Sequence, residues 1–144
     1  MKIADIHFGQ DRELVTISPN AEVAEAVAKL GANNIGALPV CGADGKLVGI
    51  LSERDIVRQI FKQGPELLQK RIADVMTRDV FTCKGEDDTN DAMEVMQKNR
   101  FRHIPQVENG RPVRMISTRD LMGAVLDETR EQRRALAVAY ELVR

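Results

Sequence analysis

The sequence predicts a mixed α/β (α+β) domain: two tandem β-α-β-β-α units folded as the two halves of one pseudo-two-fold body. Three observations predict it. First, Ile35-Gly36-Ala37-Leu38-Pro39-Val40, a Gly45-Lys46 turn and Val48-Gly49-Ile50-Leu51-Ser52-Glu53-Arg54-Asp55 recur in the same order. They return as Phe101-Arg102-His103-Ile104-Pro105-Gln106-Val107, a Gly110-Arg111 turn and Val113-Arg114-Met115-Ile116-Ser117-Thr118-Arg119-Asp120. Second, the spacing is nearly constant, 66 residues from Pro39 to Pro105 and 65 from Asp55 to Asp120, so one residue is lost at the second turn. Third, the unit occurs only twice, whereas a solenoid needs about three or more copies to bury a continuous core. A site built on one copy therefore has a related site on the other.

The elements follow in order. Leu14 to Ile17 is a short β-branched run, stopped by Ser18-Pro19-Asn20, and Val23, Ala26, Val27 and Leu30 then recur at helical spacing. Two apolar runs, Leu38 to Cys41 and Leu47 to Leu51, flank a glycine turn and read as a hairpin. The second copy offers Val80 to Cys83 as its first strand and places Glu86-Asp87-Asp88 where a helix N-terminus favours negative charge. Ala92, Met93 and Met96 then repeat Ala26, Val27 and Leu30, followed by the runs Ile104 to Val107 and Val113 to Ile116. Gly64-Pro65 marks the connection, and Ile72-Ala73-Asp74-Val75 echoes Ile3-Ala4-Asp5-Ile6, so the lead-in segments repeat as well. The expected division is repeat 1 at 1–62, a linker at 63–71, repeat 2 at 72–126 and a helical extension at 127–144. In that extension Leu136, Ala139, Tyr140 and Val143 form an apolar stripe beyond a charged stretch from Asp127 to Arg134. The stripe either crosses a dimer interface, docks on a partner, or folds back on its own domain.

Composition excludes several classes of function. With 43% hydrophobic and 30% charged residues the chain has the make-up of an ordinary globular domain. A formal net charge of −1, with both signs interspersed, supplies no positive field for nucleic acid. No apolar run approaches membrane-spanning length, and Met1-Lys2-Ile3-Ala4-Asp5 lacks the apolar stretch of a signal peptide, so the expectation is a cytoplasmic protein that binds no membrane. Cys41 and Cys83 form no C-x-x-C pair, and His7 and His103 have no partner nearby in sequence, so no metal site or disulfide framework is indicated. The two thiols read as small buried apolar groups. Without a nucleophile-base pair, a carboxylate dyad or a Walker loop, no catalytic residue and no catalytic cofactor are expected, and the chain is read as a non-enzyme.

Together the Pro-Val-type strand, the glycine turn and the G-h-h-S-x-x-D ending, each present twice, resemble the CBS domain pair, named after cystathionine β-synthase. The likeness covers residues 1 to about 126 and is nearest to small stand-alone bacterial proteins made of little but such a pair. It implies two repeats packed through their short sheets, two clefts that commonly take adenosine-containing ligands, and association of pairs into a flat homodimer. It also implies that each cleft is shared between repeats. Carried over residue by residue, Ser117 and Asp120 work with Ser18, Ile35, Gly36 and Ala37, while Ser52 and Asp55 work with Val80, Phe81, Phe101, Arg102 and His103. The adenine is then expected among the apolar side chains and backbone amides of these strands.

The residues support a chemical account beside the resemblance. Ser52 and Asp55, like Ser117 and Asp120, stand at i and i+3 where a strand gives way to a helix, so hydroxyl and carboxylate share one side of the first turn. Such a carboxylate can accept two hydrogen bonds from vicinal ribose hydroxyls. The same pattern is also a variant of the capping box, which stabilises a helix by about 1 kcal/mol with no ligand present. Positive charge is concentrated before the second proline, in Arg100-Phe101-Arg102-His103, against Asn34-Ile35-Gly36-Ala37-Leu38 before the first. Arg102 and His103 suit phosphate oxygens, and a bound phosphate would raise the pKa of His103 and favour binding in mild acid; the alternative is that Arg100 and Arg102 are solvated and His103 is a satisfied strand residue. Arg114 departs from the pattern, standing where the first copy has Gly49; pointing inward it blocks or ligates, pointing outward it is surface.

The expected function is a regulatory sensor module that binds an adenosine-containing ligand: AMP, ADP, ATP, NADH or S-adenosylmethionine. The ligand would shift the geometry of a homodimer and change its contact with a regulated protein partner. The alternative is a structural dimerisation scaffold with no physiological nucleotide.

Overall fold

The computed structural model describes residues 1–7 and 13–143, so residues 8–12 of the expected first repeat and residue 144 of the expected extension lie outside it. Helix α1 (Val23–Asn33) leads into the hairpin β1 (Ala37–Cys41) and β2 (Leu47–Ser52), and then α2 (Glu53–Gln63). The second half repeats the order with α3 (Thr89–Asn99), β3 (His103–Glu108), β4 (Arg111–Ser117) and α4 (Thr118–Val143). Each sheet is a single antiparallel hairpin, and the registers correspond: Leu38 faces Leu51 as Ile104 faces Ile116. Short 3-10 turns at Ile3–Asp5, Pro65–Gln69 and Ile72–Asp74 make up the lead-ins.

The strands expected at Leu14 to Ile17 and Val80 to Cys83 contract to one parallel bridge each, Ile17 to Val40 and Cys83 to Gln106. Both fall at a register shift in the hairpin beside them, between Val40 and Cys41 and between Gln106 and Val107. Ser18-Pro19-Asn20 helps to explain the brevity in the first half: Pro19 has no N–H to donate, and the Ser18 hydroxyl accepts from Asn20 N–H at 3.2 Å, turning the chain away.

Each half is completed by the lead-in of the other. Ile3 N–H donates to Asp87 O and Thr89 N–H to Met1 O, which places the first lead-in on the second repeat. Conversely, Val23 N–H donates to Lys70 O and Ile72 N–H to Ala21 O, placing the second lead-in on the first repeat. These bonds satisfy the first N–H groups of α1 and α3, which in α1 have no side-chain cap. The cores follow the exchange. Leu67, Ile72 and Met76 pack with Val23, Leu38, Leu51 and Ile56, whereas Ile3 and Ile6 pack with Met96, Ile104, Ile116 and Leu121.

The Gly49/Arg114 difference belongs to this exchange. A Cβ on Gly49 would stand 2.6 Å from Met76 Sδ and 2.9 Å from Thr77 O, so the second lead-in passes against bare backbone. In the other half, Arg114 turns toward the first lead-in and holds it, its Nη1 donating to Ile6 O at 2.9 Å and its Nη2 to Ile3 O at 2.6 Å. Its Nε donates to Gln106 Oε1 at 2.7 Å. Gln106 is buried and faces Arg114 across the hairpin, where the first half pairs Val40 with Gly49. One half therefore uses an apolar pair and the other a polar pair at the same place.

Helix α4 runs 26 residues, about 39 Å at 1.5 Å per residue. Leu121 is buried at its start, but Leu136, Tyr140 and Val143 are 70%, 72% and 88% exposed. The fold-back onto the chain's own domain is therefore not adopted; the far half of the helix projects from the body. Among the described residues no helix is long and apolar enough to cross a membrane.

Arg114→Ala should destabilise the protein in urea unfolding, by about 1–3 kcal/mol for the stranded Gln106 amide alone. The double replacement Gln106→Val with Arg114→Gly, which copies the first half, should recover part of the loss in a double-mutant cycle. A single variant as stable as the parent would show that Arg114 does not hold the lead-in.

Candidate functional site

The two hairpins end where the two Ser-x-x-Asp segments begin, and both segments form full capping boxes. Ser52 Oγ accepts from Asp55 N–H at 3.1 Å while Asp55 Oδ2 accepts from Ser52 N–H at 3.0 Å. The Ser117–Asp120 distances are 3.1 and 2.8 Å. The first helical N–H groups are held by the strand entry of the same repeat, Glu53 N–H by Gly36 O and Thr118 N–H by Arg102 O. Capping uses only one carboxylate oxygen. Oδ1 of Asp55 has no hydrogen bond among the described residues and remains an acceptor.

Ser52 and Asp55 line a cavity of about 290 Å³ together with Val80, Phe81, Phe101, Arg102 and His103. The structure thus brings all seven residues assigned to this cleft into one cavity, near the lower end of small-molecule sites at about 300–1,000 Å³. What brings them together is the lead-in exchange: Ile50 and Thr77 trade backbone hydrogen bonds at 2.9 and 3.0 Å, so the chain from Thr77 to Phe81 runs past the end of β2. Phe81 and Phe101 stack with ring centroids 5.2 Å apart and planes 26° apart. Arg54, Arg58 and Arg100 also line this cavity and were not singled out as its ligands from the sequence. The charge imbalance between the repeats was the signal that could have found Arg58 and Arg100, which stand opposite Gly123 and Asn34.

Ser117 and Asp120 border an open groove of about 1590 Å³ with Ile35, Gly36 and Ala37. Ser18 is not among the residues that line it; it is exposed, and its hydroxyl serves the turn to Asn20. Leu14 and Val15 line the groove instead. They lie 66 residues before Val80 and Phe81, so applying the repeat spacing to those two would have found them.

His103 lines both cavities. It packs closely on Gly36: a Cβ there would stand 2.9 Å from Cε1 and 3.0 Å from Nε2, so a side chain at that position would displace the ring. Burial pushes the imidazole below its ordinary pKa of 6.5, and the Arg102 charge acts in the same direction. Glu53, which lines both cavities, and Asp120, which lines the larger one, oppose the shift without cancelling it. Of the two thiols expected to be buried, Cys83 is and Cys41 is only half-buried; burial pushes Cys83 up to about 11, helped by Asp87, and raises Cys41 as well.

Two repeats that exchange their lead-ins and enclose two related clefts define a paired-repeat module. The family model described as the CBS domain matches residues 3–62 and 72–127, and the chain belongs to that family. A CBS domain-containing mitochondrial protein of Arabidopsis thaliana, CBSX3, is 36% identical over 114 residues; the match covers 76% of this chain but only 55% of the relative. A 17.7 kDa protein of Acidianus ambivalens is 33% identical over 116 residues, 80% of this chain and 69% of the relative. The crystal structure of a CBS-domain protein from Agrobacterium tumefaciens superposes with a TM-score of 0.79 at 38% identity, covering 85% of this chain and 92% of that one. The CBS domain pair of protein MJ0100, solved with 5′-methylthioadenosine and S-adenosyl-L-methionine, gives a TM-score of 0.78 at 26% identity and covers 89% and 98% of the two chains.

Because the folded pKa of His103 lies below its unfolded value, its contribution to stability is fully present above pH 6.5. It is lost as pH falls from there through the folded pKa. Urea midpoints of the ligand-free protein should decline over that range, and His103→Gln should remove the His103 component. Parallel curves for parent and variant would show that the imidazole titrates freely.

Proposed function

We propose that this chain is a regulatory module that binds an adenosine-containing ligand in the cleft of Ser52 and Asp55, with a related position at Ser117 and Asp120. The observation that carries the reading is the convergence in one cavity of a carboxylate oxygen left over from capping, a stacked phenylalanine pair, and His103 with Arg102. Asp55 Oδ1 accepts from the ribose hydroxyls, the rings of Phe81 and Phe101 with Val80 take the adenine, and Arg102 with His103 takes phosphate. In the larger groove Ser117 and Asp120 act with Ile35, Gly36 and Ala37. MJ0100, whose CBS pair was solved with two adenosine derivatives, supports this ligand class. AMP, ADP, ATP, NADH and S-adenosylmethionine all belong to it. A phosphate ligand also moves the His103 pKa upward, so binding takes up a proton and tightens as pH falls toward mild acid.

The module acts as a homodimer on a regulated protein partner. Val57 and Phe61 on α2 are 67% and 91% exposed, and their repeat equivalents Met122 and Leu126 on α4 are each 54% exposed. A second copy related by a two-fold axis can cover both patches at once, since an isologous interface buries each patch twice. Residues 127–143 of α4 then extend beyond the pair as the segment available to a partner.

Calorimetric titration with AMP, ATP, NADH and S-adenosylmethionine tests the ligand class. Asp55→Asn keeps one oxygen for the cap and should weaken binding about tenfold or more, in line with about 1.5–3 kcal/mol for a hydrogen bond to a charged group. Asp55→Ala and Asp120→Ala should also cost about 1 kcal/mol of stability through the lost cap. Unchanged affinity in the Asp55 variants would remove the ribose role. Sedimentation of Phe61→Glu and Leu126→Glu should find monomers where the parent is a dimer; a monomeric parent would overturn the assembly.

A further inference from the structure

The two clefts are related by the internal repeat, so each serves as a control for the other. Arg54, Arg58, Arg100 and Arg102 all line the smaller cavity. At their repeat equivalents stand Arg119, Gly123, Asn34 and Gly36, so only one of the four positive charges has a counterpart. Arg54 and Arg58 are one turn apart on α2, while Arg100 and Arg102 lie on the entry to β3. Arg54 Nη1 reaches Arg100 O at 3.4 Å, so the two pairs face a common space. Among the described residues none of the four forms an ion pair, although Glu53, Asp55 and Asp79 line the same cavity. Arg100 also occupies the left-handed region, φ 59°, at the C-cap of α3, where the equivalent residue is Asn34 at φ 51°. Asparagine tolerates that conformation more readily than arginine does.

We propose that the smaller cleft is built for a nucleotide carrying two or more phosphates, with Arg54, Arg58, Arg100 and Arg102 as its polyphosphate clamp. This rests on the reading of that cleft as an adenosine site. A single phosphate engages one or two guanidinium groups bidentately, and four groups on two walls exceed what it can use. Like charges gathered without carboxylate partners are compensated when a chain of phosphates lies between them. Arg54, Arg100 and Arg102 also border the larger groove, whereas Arg58 lines the smaller cavity alone, so Arg58 distinguishes the two sites.

The test is calorimetric titration with adenosine, AMP, ADP and ATP, on the parent and on Arg58→Gln, each also carrying Asp120→Asn to silence the larger groove. Affinity should rise at least tenfold from AMP to ADP. Arg58→Gln should lower ADP and ATP affinity about tenfold and leave adenosine within twofold. Equal affinity for adenosine, AMP and ADP would overturn the clamp while leaving the adenosine reading intact. No binding of any of the four would overturn both. A loss in Arg58→Gln that is the same for adenosine as for ATP would assign Arg58 to the shape of the cleft and also overturn the clamp.

Discussion

Neither half of this chain can close its own core. A two-stranded hairpin is marginal in water by itself, and a helix on each side still leaves an apolar face uncovered. Here the face is covered by the other half's lead-in: Leu67 and Ile72 enter the core of the first repeat, Ile3 and Ile6 that of the second, and all four are buried. The exchange also supplies backbone acceptors to the first N–H groups of α1 and α3. The two halves are thus joined by main-chain hydrogen bonds and by core packing together, and stability and pairing become one property.

The clefts are consequences of that exchange. The second lead-in must pass β2 to continue into its own repeat, and the Ile50–Thr77 bridge sets its path. Val80 and Phe81 are thereby carried to the end of β2, where the capping box of α2 already fixes Ser52 and Asp55. The cap holds the Asp55 side chain through one oxygen, bonded to backbone, at a residue that lines the cavity. At Asp55 the cap leaves a second carboxylate oxygen, so capping does not exclude a ligand there.

Two of the departures from the repeat's symmetry have different effects. Val40 and Gly49 in the first half become Gln106 and Arg114 in the second, and the polar pair fastens a lead-in that bare backbone accommodates on the other side. Gly36 becomes Arg102 and Ala37 becomes His103, which gathers charge and a titratable ring on the wall between the clefts. One difference bears on holding the body together; the other bears on what the body can bind.

Much of this was legible in the chain itself. Constant spacing between Pro39 and Pro105 fixes two equivalent hairpins, because register and turn position repeat with the residues, and the helical periods of Val23–Leu30 and Thr89–Met96 need no tertiary information. The capping boxes are local for the same reason. What sequence could not decide is where segments without periodicity go. Ile3-Ala4-Asp5-Ile6 and Ile72-Ala73-Asp74-Val75 look alike whether each packs on its own repeat or on the other. Arg114 looks alike whether it faces a cleft, the solvent or a lead-in carbonyl. The first strands shrank to single bridges because their pairing turns on non-local backbone hydrogen bonds, whereas Leu14 and Val15 in place of Ser18 were legible from the repeat spacing. Local pattern determines the elements and their number; burial of the faces those elements leave bare selects their partners, and only the assembled chain makes that selection.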